Sequence, residues 1–239
     1  MSLRIYEQLS KYYDELWGDI STGYVSLIEP LLSKRRLAFA RILDLASGSG
    51  SLAVELGRKG HVVFGLDASP SMVDIAKKKS ILYDNVQFKV HDMTEFSFKT
   101  PFDLITCTID SMNYLVEKGS LEKFVSNVSR ALKHKGLFIF DVNTESMYKQ
   151  NNNAIFTHGA NGNSFVQRLT YDETSRRATA LFEFDKGQME IHQQKPYELA
   201  ELKKTLAGSR IKITHTYSNF SGTPFKSGDH RLICIAERK

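Results

Sequence analysis

The residues of this sequence best placed to do chemistry are three carboxylates at the ends of short apolar runs. Asp44 lies in Arg41–Leu45, Asp67 follows Val62–Leu66, and Asp92 comes just after Val86–Val90. Beside Asp44 runs Ala46-Ser47-Gly48-Ser49-Gly50, small residues that let the backbone approach a ligand and let the next helix aim its N-terminus at it. Gly48-Ser49-Gly50-Ser51-Leu52-Ala53 formally satisfies the dinucleotide pattern G-x-G-x-x-G/A, with Asp67 at a suitable distance for a ribose hydroxyl. Asp44 decides between ligands, because a carboxylate at that strand end repels a pyrophosphate and attracts a cationic amine. A ligand with an aminoacyl end, a ribose and an adenine uses all three acids: Asp44 with the glycine loop for the amine, Asp67 for the two ribose hydroxyls, and Asp92 to accept from the adenine amino group. S-adenosylmethionine is such a ligand and is the cofactor expected. Singly, Asp44 could equally cap a helix and Asp67 could close an Asx turn before Ser69-Pro70; their joint placement carries the reading.

The elements that must position these residues follow from periodicity. Leu3, Tyr6, Leu9, Tyr13, Leu16 and Trp17, then Tyr24, Leu27, Ile28, Leu31 and Leu32, predict two N-terminal helices, with Pro30 able to kink the second. From residue 41 strands and helices alternate. The strands are Arg41–Leu45, Val62–Leu66, Val86–Val90, Phe102–Thr106 and Leu137–Val142. The helices are Gly50–Arg58, one capped by Ser69 with Pro70 at its first position, and one capped by Ser120 and ended by Gly136. This alternation predicts right-handed βαβ units and a doubly wound parallel α/β sheet. Residues 150–164 are rich in Asn and Gly and read as a mobile loop. Phe165–Thr170, Ala178–Phe184 and Met189–Gln194 read as three antiparallel strands of an insertion after the fifth strand. A helix over Pro196–Leu206 and strands Ile211–Tyr217 and Arg231–Ala236 end the chain.

With 239 residues, 41% hydrophobic and 25% charged, the chain has the composition of a globular domain that needs no disulfide or structural metal. Its apolar runs are strand-length, which argues against a membrane span, and the N-terminus lacks the features of a signal peptide. Cys107 and Cys234 both sit in apolar runs, as expected of reduced thiols in a cytoplasmic protein. The seven histidines are scattered and neither cysteine has a partner at metal spacing, so no metal site is expected. The net charge of +5 permits an acidic partner without requiring one. Lys34-Arg35-Arg36, Lys77-Lys78-Lys79 and Lys133-His134-Lys135 fall where cations suit helix C-termini, and no aromatic residues interleave them, which argues against nucleic acid.

The segments DLASGSG, GLDASPSM, VHDMTEF, FDLITC and LKHKGLFIFDVNT, in this order over residues 40–145, resemble the class I S-adenosylmethionine-dependent methyltransferases. The resemblance implies a seven-stranded, mostly parallel Rossmann-like sheet whose last strand is antiparallel to its neighbours. It implies a cofactor site lined by Asp44, Ala46, Gly48, Gly50, Asp67, Ala68, Met72, Asp92 and Met93. Ala46 stands where the family most often has Gly. The Tyr13-Asp14 segment resembles the small-molecule branch that includes amine N-methyltransferases. On this reading residues 1–239 form one methyltransferase domain: 1–40 a helical lid, 41–145 the cofactor-binding core, 146–195 a β-rich substrate-covering insertion, and 196–239 the last helix and strands.

Methyl transfer asks mainly for alignment and exclusion of water; a neutral amine needs little else, and a hydroxyl needs a base. Asp110 is the candidate to hold a cationic amine, with Asn113 and Tyr114 to orient it. His192 on the insertion and Tyr13 on the aromatic N-terminal helix are the other candidates for catalysis, Tyr13 offering a π-face to the methyl cation. The expected acceptor is a small polar metabolite, with N-methylation preferred over O-methylation. RNA or protein methylation, a non-catalytic S-adenosylmethionine-binding regulator, and an NAD-linked oxidoreductase remain as alternatives.

Overall fold

The computed structural model describes residues 3–160 and 162–239. The chain opens with α1 (Ser10–Gly23) and α2 (Val25–Lys34). It then runs β1 (Arg41–Leu45), α3 (Ser51–Arg58), β2 (Val62–Asp67), α4 (Pro70–Lys79), β3 (Val86–Val90), β4 (Phe102–Cys107), α5 (Ser120–Ala131) and β5 (Leu132–Asn143). Next come α6 (Glu145–Gln150) and a hairpin series of β6 (Ile155–Ala160), β7 (Asn163–Asp172), β8 (Arg177–Glu183) and β9 (Met189–Gln194). α7 (Leu199–Gly208), β10 (Ile211–Tyr217) and β11 (Arg231–Arg238) follow.

Seven strands form one sheet in the order β3-β2-β1-β4-β5-β11-β10. β1 to β5 pair in parallel, whereas β11 runs antiparallel to both β5 and β10. Strand order reverses between β1 and β4, and in open α/β sheets the crevice above that point is where ligands bind. One face of the sheet is covered by Ile28 and Leu32 of α2, Leu52 and Leu56 of α3, and Val73 and Ala76 of α4. The other is covered by Leu121, Phe124 and Val128 of α5 and by Leu202 and Leu206 of α7. With both faces buried, β1 and β4 are nearly continuous apolar runs. The second sheet, β6-β7-β8-β9, is wholly antiparallel. Its inner face packs Phe165, Ala180, Phe182 and Phe184 against Tyr12 and Leu16 of α1. The N-terminal helix and the insertion thus pack on each other.

α4 begins where its sequence predicts. Ser69 Oγ accepts from Met72 N at 3.3 Å, with Pro70 as the first helical residue. Replacing Ser69 by alanine is expected to cost about 1 kcal/mol of stability by urea unfolding. An unchanged midpoint and slope would show that the cap contributes nothing.

Four expectations are corrected. The first helix starts at Ser10 rather than near Leu3, because Tyr6 takes φ +62° and breaks the helical path. Ser120 does not cap α5: Gly119 is the cap at φ +82°, and Ser120 Oγ donates to the Glu117 carbonyl at 2.7 Å. That helix ends at Ala131, not Gly136, and residues 132–136 belong to the irregular start of β5. Residues 150–164 are not simply a loop, because Ile155-Phe156-Thr157 has the β-branched and aromatic residues that suit pairing, and β6 adds a fourth strand to the insertion. Among the described residues, no helix is long and apolar enough to cross a membrane.

Candidate active site

A cavity of ≈790 Å³ opens above the carboxyl ends of β1, β2 and β3, and Ala46, Gly48, Asp67, Ala68, Met72, Asp92 and Met93 all line it. Asp67, which ends β2, accepts Gly48 N–H on Oδ2 and Ser69 N–H on Oδ1, both at 2.8 Å. The expected Asx turn and the expected ligand site are therefore the same carboxylate. Each oxygen keeps a lone pair for a hydroxyl in the cavity. Burial raises the Asp67 carboxyl above its ordinary range, opposed by those two N–H bonds. Asp92 spends one oxygen on Thr94, accepting its N–H at 2.6 Å and its hydroxyl at 2.7 Å, and so leaves the other to accept from an amino group. Met72 and Met93 supply an apolar wall for a flat ring.

Two residues of the expected cofactor set stand behind that wall. Gly50 is the left-handed cap of α3, and a Cβ there would come within 2.6 Å of Phe88 and 2.8 Å of Ala76. Its glycine is required by packing rather than by contact with a ligand. Asp44 is 2% exposed, lies outside the cavity lining, and accepts from Thr106 Oγ1 at 2.7 Å. Desolvation pushes its carboxyl up to about 7, against the Thr106 hydrogen bond, with Asp67 adding to the rise. Ala46 adopts φ +51°, a conformation costing an L-residue about 1 kcal/mol or more and glycine almost nothing.

α1 crosses above the glycine loop. Asp14 accepts from Ser49 Oγ and Ser51 Oγ and pairs with Lys79 Nζ at 2.8 Å, which ties α1 to the start of α3 and the end of α4. The preceding residue, Tyr13, is thereby held over Gly48, where a Cβ would sit 3.7 Å from its ring.

A second cavity of ≈350 Å³ lies between α1, the turn after β4 and the inner face of the antiparallel sheet. Asp110 and His192 line it, and Tyr6, Tyr13 and Tyr114 stand in the walls of both cavities. Burial pushes all three phenols well above their ordinary range, so they are neutral. Asp110 shares its charge: Oδ1 pairs with Arg231 at 3.2 Å and Oδ2 accepts from Gln194 Nε2 at 3.0 Å. Arg231 also pairs with the fully buried Asp141, so it is saturated by two carboxylates. Asp141 in turn accepts the N–H groups of Ile109 and Asp110, at 2.6 and 3.0 Å, and holds both in left-handed conformations.

Asn113, expected to orient the acceptor, has its amide occupied by the fold. Its amide is fully buried, donates to the carbonyls of Asn143 and Lys195, and accepts from Asn143 N–H at 2.9 Å, stitching β5 to the exit of the insertion. Arg231, Asp141 and Glu190 were missed by sequence reasoning, and Tyr6 was read only as one of the aromatic residues of the N-terminal helix. For Glu190 a signal exists in β9: Glu190, His192 and Gln194 alternate inward and are buried, whereas Ile191 is exposed, an inverted pattern that marks a polar interior site. Among the described residues no group of three or more His, Cys, Asp or Glu is placed to hold a metal.

The larger cavity fits S-adenosylmethionine by its donor and acceptor set: paired lone pairs on Asp67, a free oxygen on Asp92, two methionine side chains and a close-approach backbone at Gly48. Comparison with known proteins agrees. Residues 42–136 match the family described as a methyltransferase domain. A protein of Geobacillus sp. (strain WCH70) that carries a provisional methyltransferase name is 28% identical, over 98% of this chain and 99% of its own. An S-adenosylmethionine-dependent methyltransferase from Clostridium acetobutylicum ATCC 824 superposes with a TM-score of 0.82 at 24% identity, covering 98% of each chain. CalS10 of Micromonospora echinaspora, an amino pentose methyltransferase solved with S-adenosylmethionine bound, gives 0.70 at 17% identity, over 93% of this chain and 92% of its own. Sheet order, strand-end carboxylates and the methyltransferase domain matched over residues 42–136 together support a class I S-adenosylmethionine-dependent methyltransferase.

Proposed function

We propose that the enzyme transfers a methyl group to the amine of a small polar metabolite in the cytoplasm. The observation that carries this reading is the pair of cavities meeting at Tyr6, Tyr13 and Tyr114, one with the cofactor's donor set and one of ≈350 Å³ behind it. Bound S-adenosylmethionine supplies a methyl on a sulfonium, displaced in line with its electron pair left on sulfur. The chain's own residues do the rest. Tyr13 and Trp17 of α1, with ring centroids 5.3 Å apart, wall the smaller cavity with aromatic faces that favour a cation. Asp110 offers a carboxylate there, while Arg231 is already taken by Asp110 and Asp141, which favours a cationic acceptor over an anionic one. A volume of that size suits an amino sugar or an amino-acid-sized amine better than a nucleic acid. The amino pentose methyltransferase among the structural neighbours supports the same class. In this reading residues 1–40 are the lid, 41–145 the cofactor core, 146–195 the acceptor cover, and 196–239 complete the single domain. Tyr13, Asp110, His192 and Tyr114 serve the acceptor.

The test is transfer of a labelled methyl group from S-adenosylmethionine into a cell extract divided into metabolite, RNA and protein fractions. Label in the metabolite fraction, lost with Asp110→Ala while cofactor binding is kept, is the expected result. Label confined to RNA or protein would overturn the acceptor class, and cofactor binding with no label in any fraction would favour a regulator.

A further inference from the structure

We propose that Glu190, His192, Tyr114 and Tyr6 form a proton relay that withdraws the acceptor's proton from the junction of the two cavities. The proposal rests on the methyl-transfer reading above and adds to it the route by which the acceptor becomes a nucleophile. The groups are contiguous. Tyr6 Oη and Tyr114 Oη lie 2.8 Å apart, Tyr114 Oη is 2.7 Å from His192 Nδ1, and His192 Nε2 is 3.1 Å from Glu190 Oε2. Both tyrosines line both cavities, so the outer end of the relay stands where donor and acceptor must meet. The inner end is closed to water, with Glu190 and His192 at 0% and 1% exposure.

The directions of the hydrogen bonds follow from the carboxylate. Desolvation alone would raise Glu190, but His192 and the N–H groups of Gln8, Leu9 and Tyr6 outweigh it and hold the carboxyl below its ordinary range. An ionised carboxylate only accepts, so His192 carries its proton on Nε2 and presents a lone pair at Nδ1. Tyr114 then donates to Nδ1, and its own oxygen accepts from Tyr6. Each donor points towards the buried charge. Around the imidazole, Glu190 comes from its own strand, Tyr114 from the turn after β4 and Tyr6 from the N-terminal segment, while the apolar ring of Phe182 of β8 packs at 4.8 Å between centroids. Asp110, Arg231 and Tyr148 line the same cavity.

When an ammonium acceptor arrives, its N–H bond breaks with the pair kept on nitrogen, and the proton passes to the Tyr6 oxygen. Tyr6 passes its own proton to Tyr114, and Tyr114 passes its own to His192 Nδ1. The result is a neutral amine and an imidazolium beside the Glu190 carboxylate. The phenols, neutral by burial, carry the proton without becoming tyrosinates. Tyr6 and Tyr114 are the groups that touch the acceptor; His192 receives the proton and Glu190 is a positioning residue. The same carboxylate grips three N–H groups of the segment leading into α1 and so fixes Tyr6 in its left-handed conformation.

Glu190→Gln, His192→Asn and Tyr6→Phe are the variants, each checked for folding and for S-adenosylmethionine affinity by calorimetry. Nitrogen-15 NMR of the apo protein is expected to show His192 protonated at Nε2 when neutral. Methyl transfer into the labelled fraction is expected to fall about a hundredfold in His192→Asn and Glu190→Gln with cofactor affinity kept. The loss should shrink as pH rises and the acceptor sheds its proton unaided. A neutral His192 protonated at Nδ1, or variants with wild-type rates and pH profile, would overturn the relay. Label in RNA or protein would overturn the acceptor class while leaving the comparison of wild type and variants intact, whereas no label in any fraction would overturn both.

Discussion

Asp67→Ala is expected to weaken S-adenosylmethionine binding by roughly 30- to 1000-fold, about 2–4 kcal/mol, the loss of two charge-assisted hydrogen bonds together with the order of the loop that makes them. The carboxylate has two jobs that fail together. It holds Gly48 N–H and Ser69 N–H, so it fixes both the glycine loop and the start of α4, and its remaining lone pairs face the cavity where ribose hydroxyls would donate. Asp67→Asn keeps one acceptor oxygen and should fall between wild type and alanine. The product S-adenosylhomocysteine carries the same ribose, so it should lose affinity in parallel with the substrate. Isothermal titration of the apo protein measures all three. A loss under threefold for the alanine variant would mean that the cofactor's ribose is held elsewhere. The folded pKa of Asp67 is raised, so affinity should also fall as pH drops through it and the carboxylate becomes a weaker acceptor.

Much of this architecture was legible because it is encoded locally. The bounds of β1, β2 and β3 follow, to within one residue, from short apolar stretches alone, and α4 follows from a serine cap and a proline. The strand-end position of Asp67 and Asp92 follows from those bounds, and both line the cavity as their spacing implies. What was not legible depends on contacts distant in sequence. Tyr6 looks like a helical residue, and only Glu190, 184 positions away, explains why its backbone leaves the helix. Asn113 has the chemistry of a binding residue, and only the proximity of Asn143 and Lys195 shows its amide to be fully occupied. His192 was visible as a candidate, but the carboxylate two residues earlier on the same face is what gives it a direction. β6 was hidden because a segment rich in Asn and Gly, outside Ile155–Thr157, forms a strand only when β7 is there to pair with it.

Asp44→Asn is expected to stabilise the apo protein at pH 8 by more than it does at pH 5, with a difference of about 2.5 kcal/mol between the two pH values. The carboxyl sits at about 7 in the folded protein against 3.8 ordinarily, with burial the main cause. The folded state therefore holds a proton that the unfolded chain releases between about pH 4 and pH 7. Below that window both states are protonated and Asp44 costs nothing. As pH rises through it, the unfolded chain ionises freely while the folded one resists, so wild-type stability is lost progressively. Above pH 7 the folded protein bears the full cost of a buried charge, about 4 kcal/mol. Asparagine does not titrate and keeps an oxygen to accept from Thr106, so the variant escapes this dependence. Urea unfolding at matched ionic strength across pH 5–8 measures the effect, and a constant offset between the two proteins would refute it. The same pair of proteins tests the proposed role of Asp44 behind the cofactor loop. A bound cation above the glycine loop favours the ionised carboxylate, so S-adenosylmethionine at pH 8 should stabilise wild type more than Asp44→Asn. Equal stabilisation would confine Asp44 to packing and its Thr106 hydrogen bond.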